Sequence, residues 1–378
     1  MRLWGLVLGV SLLLVGAAAR AEPFETPARA AILIEMATGQ VLYAKNPDEQ
    51  LPPASMSKLM TALMVFERLD AGTLALDDTF PVSERAWRMG GSKMFVHVGD
   101  RVRVEDLLRG IIIQSGNDAC IVVAEGLAGS EAVFAEQMTR RGQELGLTGS
   151  AFKNASGWPD PEHLTTVRDL AQIALTIVRD HPDHYHFYSE PEFTYADIKQ
   201  YNRNPLLQAR IPGVDGLKTG HTDEAGYGLV ASAERDGRRI VMVVAGLKSS
   251  KQRALEAERL LEHGFRAFEL YRLFDADEVV ADVQVFQGAT PRVPLVAGAP
   301  AAVGLDRAAR PSLNVKVVYD EPLRAPVAAG TRVGQLEITA AGIEPLTVSV
   351  LAGADVARAG FLGRISEAFG QFVRGWAS

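Results

Sequence analysis

Apolar and polar positions change their period several times along the chain, and each change marks an element. Ala31-Ile32-Leu33-Ile34 and Gln40-Val41-Leu42-Tyr43 flank Thr38-Gly39, a pattern that predicts a hairpin from Ala30 to Lys45. Pro52-Pro53 ends the extended run. From about Ser55 the spacing becomes helical, with Leu59, Met60, Leu63, Phe66 and Leu69 on one face and Gly72 suited to the C-terminus. Val104 to Gln114 and Asp118 to Leu127 predict two helices parted by Ser115-Gly116-Asn117, and Asp169 to Val178 predicts another. Val214 to Thr219 reads as a strand. Tyr227 to Glu234 and Arg239 to Leu247 alternate around Asp236-Gly237, a strong hairpin signal, and Leu255 to Tyr271 returns to helix.

Beyond Val279 strands dominate, over residues 279–286, 292–296, 313–319, 332–338 and 346–351, with Gly and Pro between them. The predicted architecture is an α/β (α+β) domain, an antiparallel sheet flanked by helices with a mainly helical insert, followed by a small all-β sandwich. The tail changes again. Phe361, Leu362, Ile365, Phe369, Phe372, Val373 and Trp376 recur at helical spacing, after an expected linker from Gly353 to Gly360. Such an amphipathic, aromatic-rich helix suits a membrane surface. At the other end Arg2, the apolar run Leu3 to Val15 and Ala19-Arg20-Ala21 read as an export signal cleaved before Glu22. The expected division is 1–21 signal peptide, 22–277 main domain, 278–355 β-sandwich and 356–378 anchor helix.

Charge removes one class of partner. Lys and Arg number 39 against 46 Asp and Glu, a net −7; loss of Arg2 and Arg20 with the leader gives 37 − 46 = −9. An acidic chain is a poor match for nucleic acid. One cysteine, Cys120, leaves an exported chain without an internal disulfide, so packing must hold the fold. Cys120 lies in the apolar run Ala119 to Ala124 and reads as a small buried side chain.

Three short strings carry candidate chemistry: Ser55-Met56-Ser57-Lys58, Ser115-Gly116-Asn117 and Lys218-Thr219-Gly220. Serine is a poor nucleophile until a base takes its proton. Residues three apart on a helix share a face, so Lys58 can reach Ser55 if Ser55 opens the helix. Lys58 must be neutral to act; burial and a nearby cation, for which Lys218 is the candidate, would depress its pKa. Ser115, where two helices part, can point into a cleft and relay a proton, and the Asn117 amide can hold Lys58 and a substrate carbonyl. Lys218 and Thr219 can bind a carboxylate, while Gly220 lets a substrate backbone lie close, as an added strand would. An oxyanion needs two donors, expected from the N–H groups of Ser55 and His221. His181-Pro-Asp-His184-Tyr-His186 lacks H-E-x-x-H spacing and Pro182 interrupts it, so no metal is expected. Asn154, Tyr201 and Arg203 read as loop and packing residues.

The three strings in this order match the S-x-x-K, S-x-N and K-T-G set of penicillin-binding proteins and serine β-lactamases. The wider contexts Pro53 to Thr61, Gln114 to Cys120, Tyr201-Asn202-Arg203-Asn204 and Gly216 to Thr222 make the chain closely resemble the low-molecular-mass penicillin-binding proteins that act as serine D-alanyl-D-alanine carboxypeptidases. The resemblance runs from about residue 28 to the C-terminus. It implies a periplasmic enzyme at the membrane surface that trims peptidoglycan pentapeptides ending in D-Ala-D-Ala, without a cofactor. Ser55 would form an acyl-enzyme, Lys58 would be its base, and Ser115 and Asn117 would assist. Lys218 and Thr219 would bind substrate. Arg253 sits at the position of an arginine that holds the terminal carboxylate in such enzymes. β-Lactam antibiotics would acylate Ser55. Two alternatives stand beside this: a serine β-lactamase, for which Glu162 lacks an E-x-x-x-N context, and an inactive cell-wall binding protein.

Overall fold

The structure, a computed structural model, describes residues 24–360. The expected signal segment, and the expected anchor helix from Phe361 onward, lie outside the described residues.

Strands β1 (Ala30–Glu35) and β2 (Val41–Lys45) form the first hairpin. A 3-10 turn, Ala54–Ser57, runs directly into α1 (Lys58–Asp70). The insert follows as β3 (Thr79–Pro81), α2 (Glu84–Arg88), β4 (Arg101–Arg103), α3 (Val104–Ile112), α4 (Asn117–Ala128), α5 (Glu131–Glu144), α6 (Val167–Asp180) and α7 (Pro182–Tyr185). A short hairpin, β5 (Glu192–Tyr195) and β6 (Ile198–Tyr201), and α8 (Pro205–Gln208) close it. The chain then returns to the sheet with β7 (Val214–Thr222), β8 (Gly226–Arg235) and β9 (Arg238–Leu247), and crosses it with α9 (Ser250–Ala267).

The sheet is antiparallel in the order β2-β1-β9-β8-β7. Its central strands are apolar at nearly every position because both faces are covered. Ile32, Val230, Val241 and Val243 share a core with Leu63 of α1 and with Leu108, Val122 and Ile173 of the helical insert. Leu33, Leu229, Met242 and Val244 point the other way, onto Leu260 and Leu261 of α9. Strand β7 is an edge, which leaves one side of Lys218 to His221 free to face α4 and the 3-10 turn.

The second unit comprises β10 (Phe268–Phe274), β11 (Val279–Phe286), β12 (Arg292–Ala297), β13 (Ala301–Asp306), β14 (Asn314–Tyr319), β15 (Leu323–Arg324), β16 (Arg332–Thr339) and β17 (Leu346–Ala352). Six of these form one sheet, β14-β16-β17-β12-β11-β15, and β10 pairs with β13 over the same core. Two expectations are corrected here. The helix expected from Leu255 to Tyr271 stops at Ala267, and Phe268–Phe274 is a strand. Its mixed apolar pattern suits either period; pairing with β13 and packing of Tyr271, Leu273 and Phe274 on the β core decide it. The β unit thus starts ahead of the boundary expected at 278. The linker expected from Gly353 to Gly360 is instead held to that unit: Val356 is buried and bridged to Val327, and Arg358 is bridged to Gly288. The Gln40 side-chain amide joins the two units by exchanging two hydrogen bonds with the Gly304 backbone, at 2.8 and 2.9 Å.

Candidate active site

Each of the three strings arrives on a different element, and the sheet edge brings them together. Ser55 is half-buried in the 3-10 turn, and Lys58, 1% exposed, opens α1 one turn later. Lys58 Nζ reaches three oxygens. It lies 2.8 Å from Ser55 Oγ and 2.8 Å from Asn117 Oδ1, and it also donates to the Ser156 carbonyl. Asn117 Nδ2 donates to the Gly90 carbonyl at 2.9 Å, so its oxygen is the atom left for Lys58. Ser115 occupies the gap between α3 and α4 with φ +60°, a left-handed conformation that is costly for serine and characteristic of functional sites. Lys218 Nζ donates to Ser115 Oγ at 2.9 Å.

The 3-10 turn sits tight against two backbones. A Cβ on Gly220 would lie 2.9 Å from the Pro53 carbonyl oxygen, so a side chain there would push β7 off the turn that carries Ser55. At Gly157, with φ +78°, a Cβ would fall 1.8 Å from the Ala54 carbonyl oxygen. Gly157 is therefore the residue that lets the Ser156 carbonyl reach Lys58. Asn154 Oδ1 shapes this loop by accepting from the N–H groups of Ser156, Gly157 and Trp158 at 3.1, 2.8 and 2.9 Å. The facing loop is clamped by Asp118, whose buried carboxylate accepts from Met94, Phe95 and Val96 N–H at 2.9, 2.9 and 3.3 Å.

Burial governs the electrostatics. It holds Lys58 down from 10.5 to about 8, with Arg203 as the cation that lowers it further. Lys218 falls well below the ordinary lysine value through burial first, then repulsion from Lys58 and Arg203. Arg203, expected only as a packing residue, is thus a further cation acting on both lysines. Burial also lowers Arg203 and Arg253. None of these four cations forms a salt bridge among the described residues. A cleft with this excess of unpaired cation attracts a carboxylate.

The cleft has two compartments that meet at Ser55. One, about 390 Å³, is lined by Ser115, Thr219, Gly220, Arg203 and Arg253; the other, about 440 Å³, by Asn117, Trp158, Pro159, Asp223 and Glu224. Ser55, Ser92 and His221 line both. Every residue expected in the site is thus at or beside this cleft. Arg203, expected as a packing residue, is corrected: it lines the cleft and donates to Ser92 Oγ. Its neighbours in sequence, Tyr201-Asn202 and Asn204, were the visible signal. Sequence reasoning also missed Ser156, Asp118 and Trp158. Glu162 faces Lys153 at 3.2 Å and does not line either compartment. Of the histidine run, His181 and His184 both turn to the Asp70 carboxylate.

Residues 17–249 match the family described as D-alanyl-D-alanine carboxypeptidase, and residues 268–358 match the penicillin-binding protein 5 C-terminal domain. The chain is 38% identical over 362 residues to D-alanyl-D-alanine carboxypeptidase DacC of Escherichia coli, covering 93% of this chain and 90% of DacC. It is 33% identical over 387 residues to DacF of Bacillus subtilis, covering 98% of each. The solved structure of penicillin binding protein 5 from Haemophilus influenzae superposes with a TM-score of 0.83 at 34% identity, covering 90% of this chain and all of that one.

Proposed function

The chain belongs to the D-alanyl-D-alanine carboxypeptidase family, and on that premise we propose that Ser55 is the residue it acylates and Lys58 the base that prepares it. The enzyme is a serine-type D-Ala-D-Ala carboxypeptidase acting on peptidoglycan peptides. What supports the roles is the coordination of Lys58 Nζ. A neutral amine keeps two N–H groups, enough for the oxygens of Asn117 and Ser156, and turns its lone pair on Ser55 Oγ.

Ser55 then passes its proton to Lys58 as Oγ bonds to the carbonyl carbon of the penultimate D-alanine. The carbonyl oxygen takes negative charge toward the N–H groups of Ser55 and His221. Lys58, now an ammonium, returns a proton through Ser115 to the departing amine; the C–N bond breaks and D-alanine leaves. Water attacks the ester in the same geometry, and Ser55 recovers its proton. Asn117 holds Lys58 and the substrate carbonyl. Lys218, Thr219 and Arg253, with Arg203, hold the terminal carboxylate, and Gly220 admits the substrate backbone beside β7. β-Lactams, which present an acyl group and a carboxylate at similar spacing, acylate the same serine. Residues 1–21 direct export, and the segment from Phe361 holds the enzyme at the periplasmic membrane face.

Incubation with benzylpenicillin followed by intact-mass and peptide mass spectrometry tests the assignment. The adduct is expected on Ser55 and absent in Ser55→Ala; an adduct on another residue overturns it.

A further inference from the structure

A buried carboxylate that the chemistry at Ser55 does not use stands behind Lys58. Glu131 opens α5 and lines neither compartment of the cleft. A carboxylate in the first turn of a helix ordinarily faces water. This one turns inward, with its side chain only 8% exposed. Its two oxygens have different partners. Oε2 pairs with Arg85 at the surface, and Oε1 accepts from the Ala155 N–H at 3.1 Å. Ala155 is fully buried, and its carbonyl accepts from Thr61 Oγ1 at 2.6 Å. Thr61 lies one turn after Lys58 on α1, on the same face. Helix α1 therefore holds two successive carbonyls, that of Ala155 through Thr61 and that of Ser156 through Lys58. Glu131 fixes the N–H just ahead of them.

We propose that Glu131 is a positioning residue for acylation: through Ala155 it keeps the Ser156 carbonyl on Lys58 Nζ, and so keeps the amine's lone pair on Ser55 Oγ. This rests on Lys58 as the base of Ser55. A neutral amine held only by Asn117 is free to turn, and the proton transfer then loses its alignment. The ammonium form is affected as well. A hydrogen bond to a carbonyl oxygen favours the charged amine, so losing it lowers the hold of Lys58 on its proton. Removing the acceptor at Glu131 therefore slows acylation and moves its half-maximum to lower pH. Mere loosening of the loop acts the other way on the midpoint, because water reaching Lys58 returns it toward the ordinary lysine value. The other titratable groups acting on Lys58 or acted on by it are Asp118 and Cys120 of α4, Lys218 of β7, and Arg203 and His163 of the loops. They are the same in every variant compared below.

Stopped-flow acylation by a chromogenic β-lactam across the alkaline range, on wild type, Glu131→Met and Glu131→Gln, tests this. Met keeps the side-chain length and removes the acceptor. Gln keeps an oxygen for the Ala155 N–H and removes the charge. Glu131→Met is expected to lower the plateau rate roughly tenfold and to move the half-maximum down by about 0.5 in pH. Glu131→Gln is expected to stay within about twofold of the wild-type plateau, with the midpoint in place. A midpoint unmoved or raised in Glu131→Met overturns the proposal. So does a Gln variant as slow as Met, which would make the charge, and not the hydrogen bond to Ala155, the feature that matters. If Glu131→Met fails to fold, Thr61→Val, which frees the Ala155 carbonyl, takes its place with the same two expected changes. Penicillin adduct mapping on the same samples keeps the two readings apart. An adduct on Ser55 with a Glu131→Met profile identical to wild type sinks the Glu131 assignment alone, and no adduct on Ser55 in the wild type sinks both.

Discussion

The pH dependence of acylation is set by Lys58, and its size can be worked out. Burial holds this amine at about 8, against 10.5 for an ordinary lysine. At pH 7 a base of that strength is neutral in roughly one molecule in ten, whereas an ordinary lysine would be neutral in about three in ten thousand. This depression, to which burial contributes most, thus raises the active form about 300-fold at neutral pH. The group is depressed, so the neutral form gains as pH rises: acylation should increase roughly tenfold from pH 7 to pH 9, with half-maximum near 8. Arg203 contributes to the depression as a neighbouring positive charge. Arg203→Gln should therefore move the half-maximum to higher pH, an outcome separate from any loss of substrate binding, because the midpoint does not depend on the size of the plateau. Stopped-flow acylation by a chromogenic β-lactam between pH 6 and 10 measures both. A flat profile between pH 7 and 9, or a midpoint unmoved or lowered in Arg203→Gln, would falsify the role of Lys58 as a base tuned by burial and cationic neighbours.

Gly157→Ala should slow acylation on the order of a hundredfold, because the new Cβ would sit 1.8 Å from the Ala54 carbonyl oxygen and must displace either Ser55 or the Ser156 carbonyl; a near-normal single-turnover rate would contradict this. Asp118→Asn should cost about 3 kcal/mol in urea unfolding, since a carboxylate accepting from Met94, Phe95 and Val96 N–H is replaced by an amide that offers one oxygen. Lys218→Met should abolish D-alanine release yet raise stability by about 1–2 kcal/mol, because a buried amine without a carboxylate partner is removed; a lower unfolding midpoint would argue that Lys218 is structural. Truncation after Ala359 should release the protein from membranes without loss of peptide hydrolysis. Unchanged fractionation together with a lowered melting temperature would instead make the tail part of the packed body.

The most legible parts of the fold were those decided locally. The hairpin at Asp236-Gly237, the helical run that follows Pro52-Pro53 and the break at Ser115-Gly116 each follow from a few adjacent residues, and the structure has them, with Ser55 in a 3-10 turn that leads into α1. Strands β10 and β13 were not legible, because Phe268–Phe274 fits two periods and Ala301–Asp306 is poor in β-branched residues; each is a strand because the other is there to pair with it. The site divides in the same way. Ser55, Lys58, Ser115 and Lys218 could be named because their spacing or order implies contact. Ser156 and Trp158 sit on a loop whose position depends on Asn154 and Gly157, so no local pattern marks them, whereas Arg203 was marked only by its neighbours Asn202 and Asn204.

Stability and chemistry pull against each other in this cleft. Two buried lysines, the half-buried Arg253 and a serine at φ +60° are each unfavourable for folding. They persist because the cleft is built at the edge of a sheet whose two faces are sealed by separate apolar cores. Those cores hold the 3-10 turn, α4 and β7 in fixed relation, so the cations cannot separate to relieve their repulsion. Burial first, and this repulsion with it, lowers the hold of Lys58 on its proton, and the same cations make the cleft bind a carboxylate. A substrate that brings its own carboxylate therefore lowers the energy of the site as it enters. The cation excess both selects the peptide end and favours its arrival beside a base whose hold on its proton is already weakened.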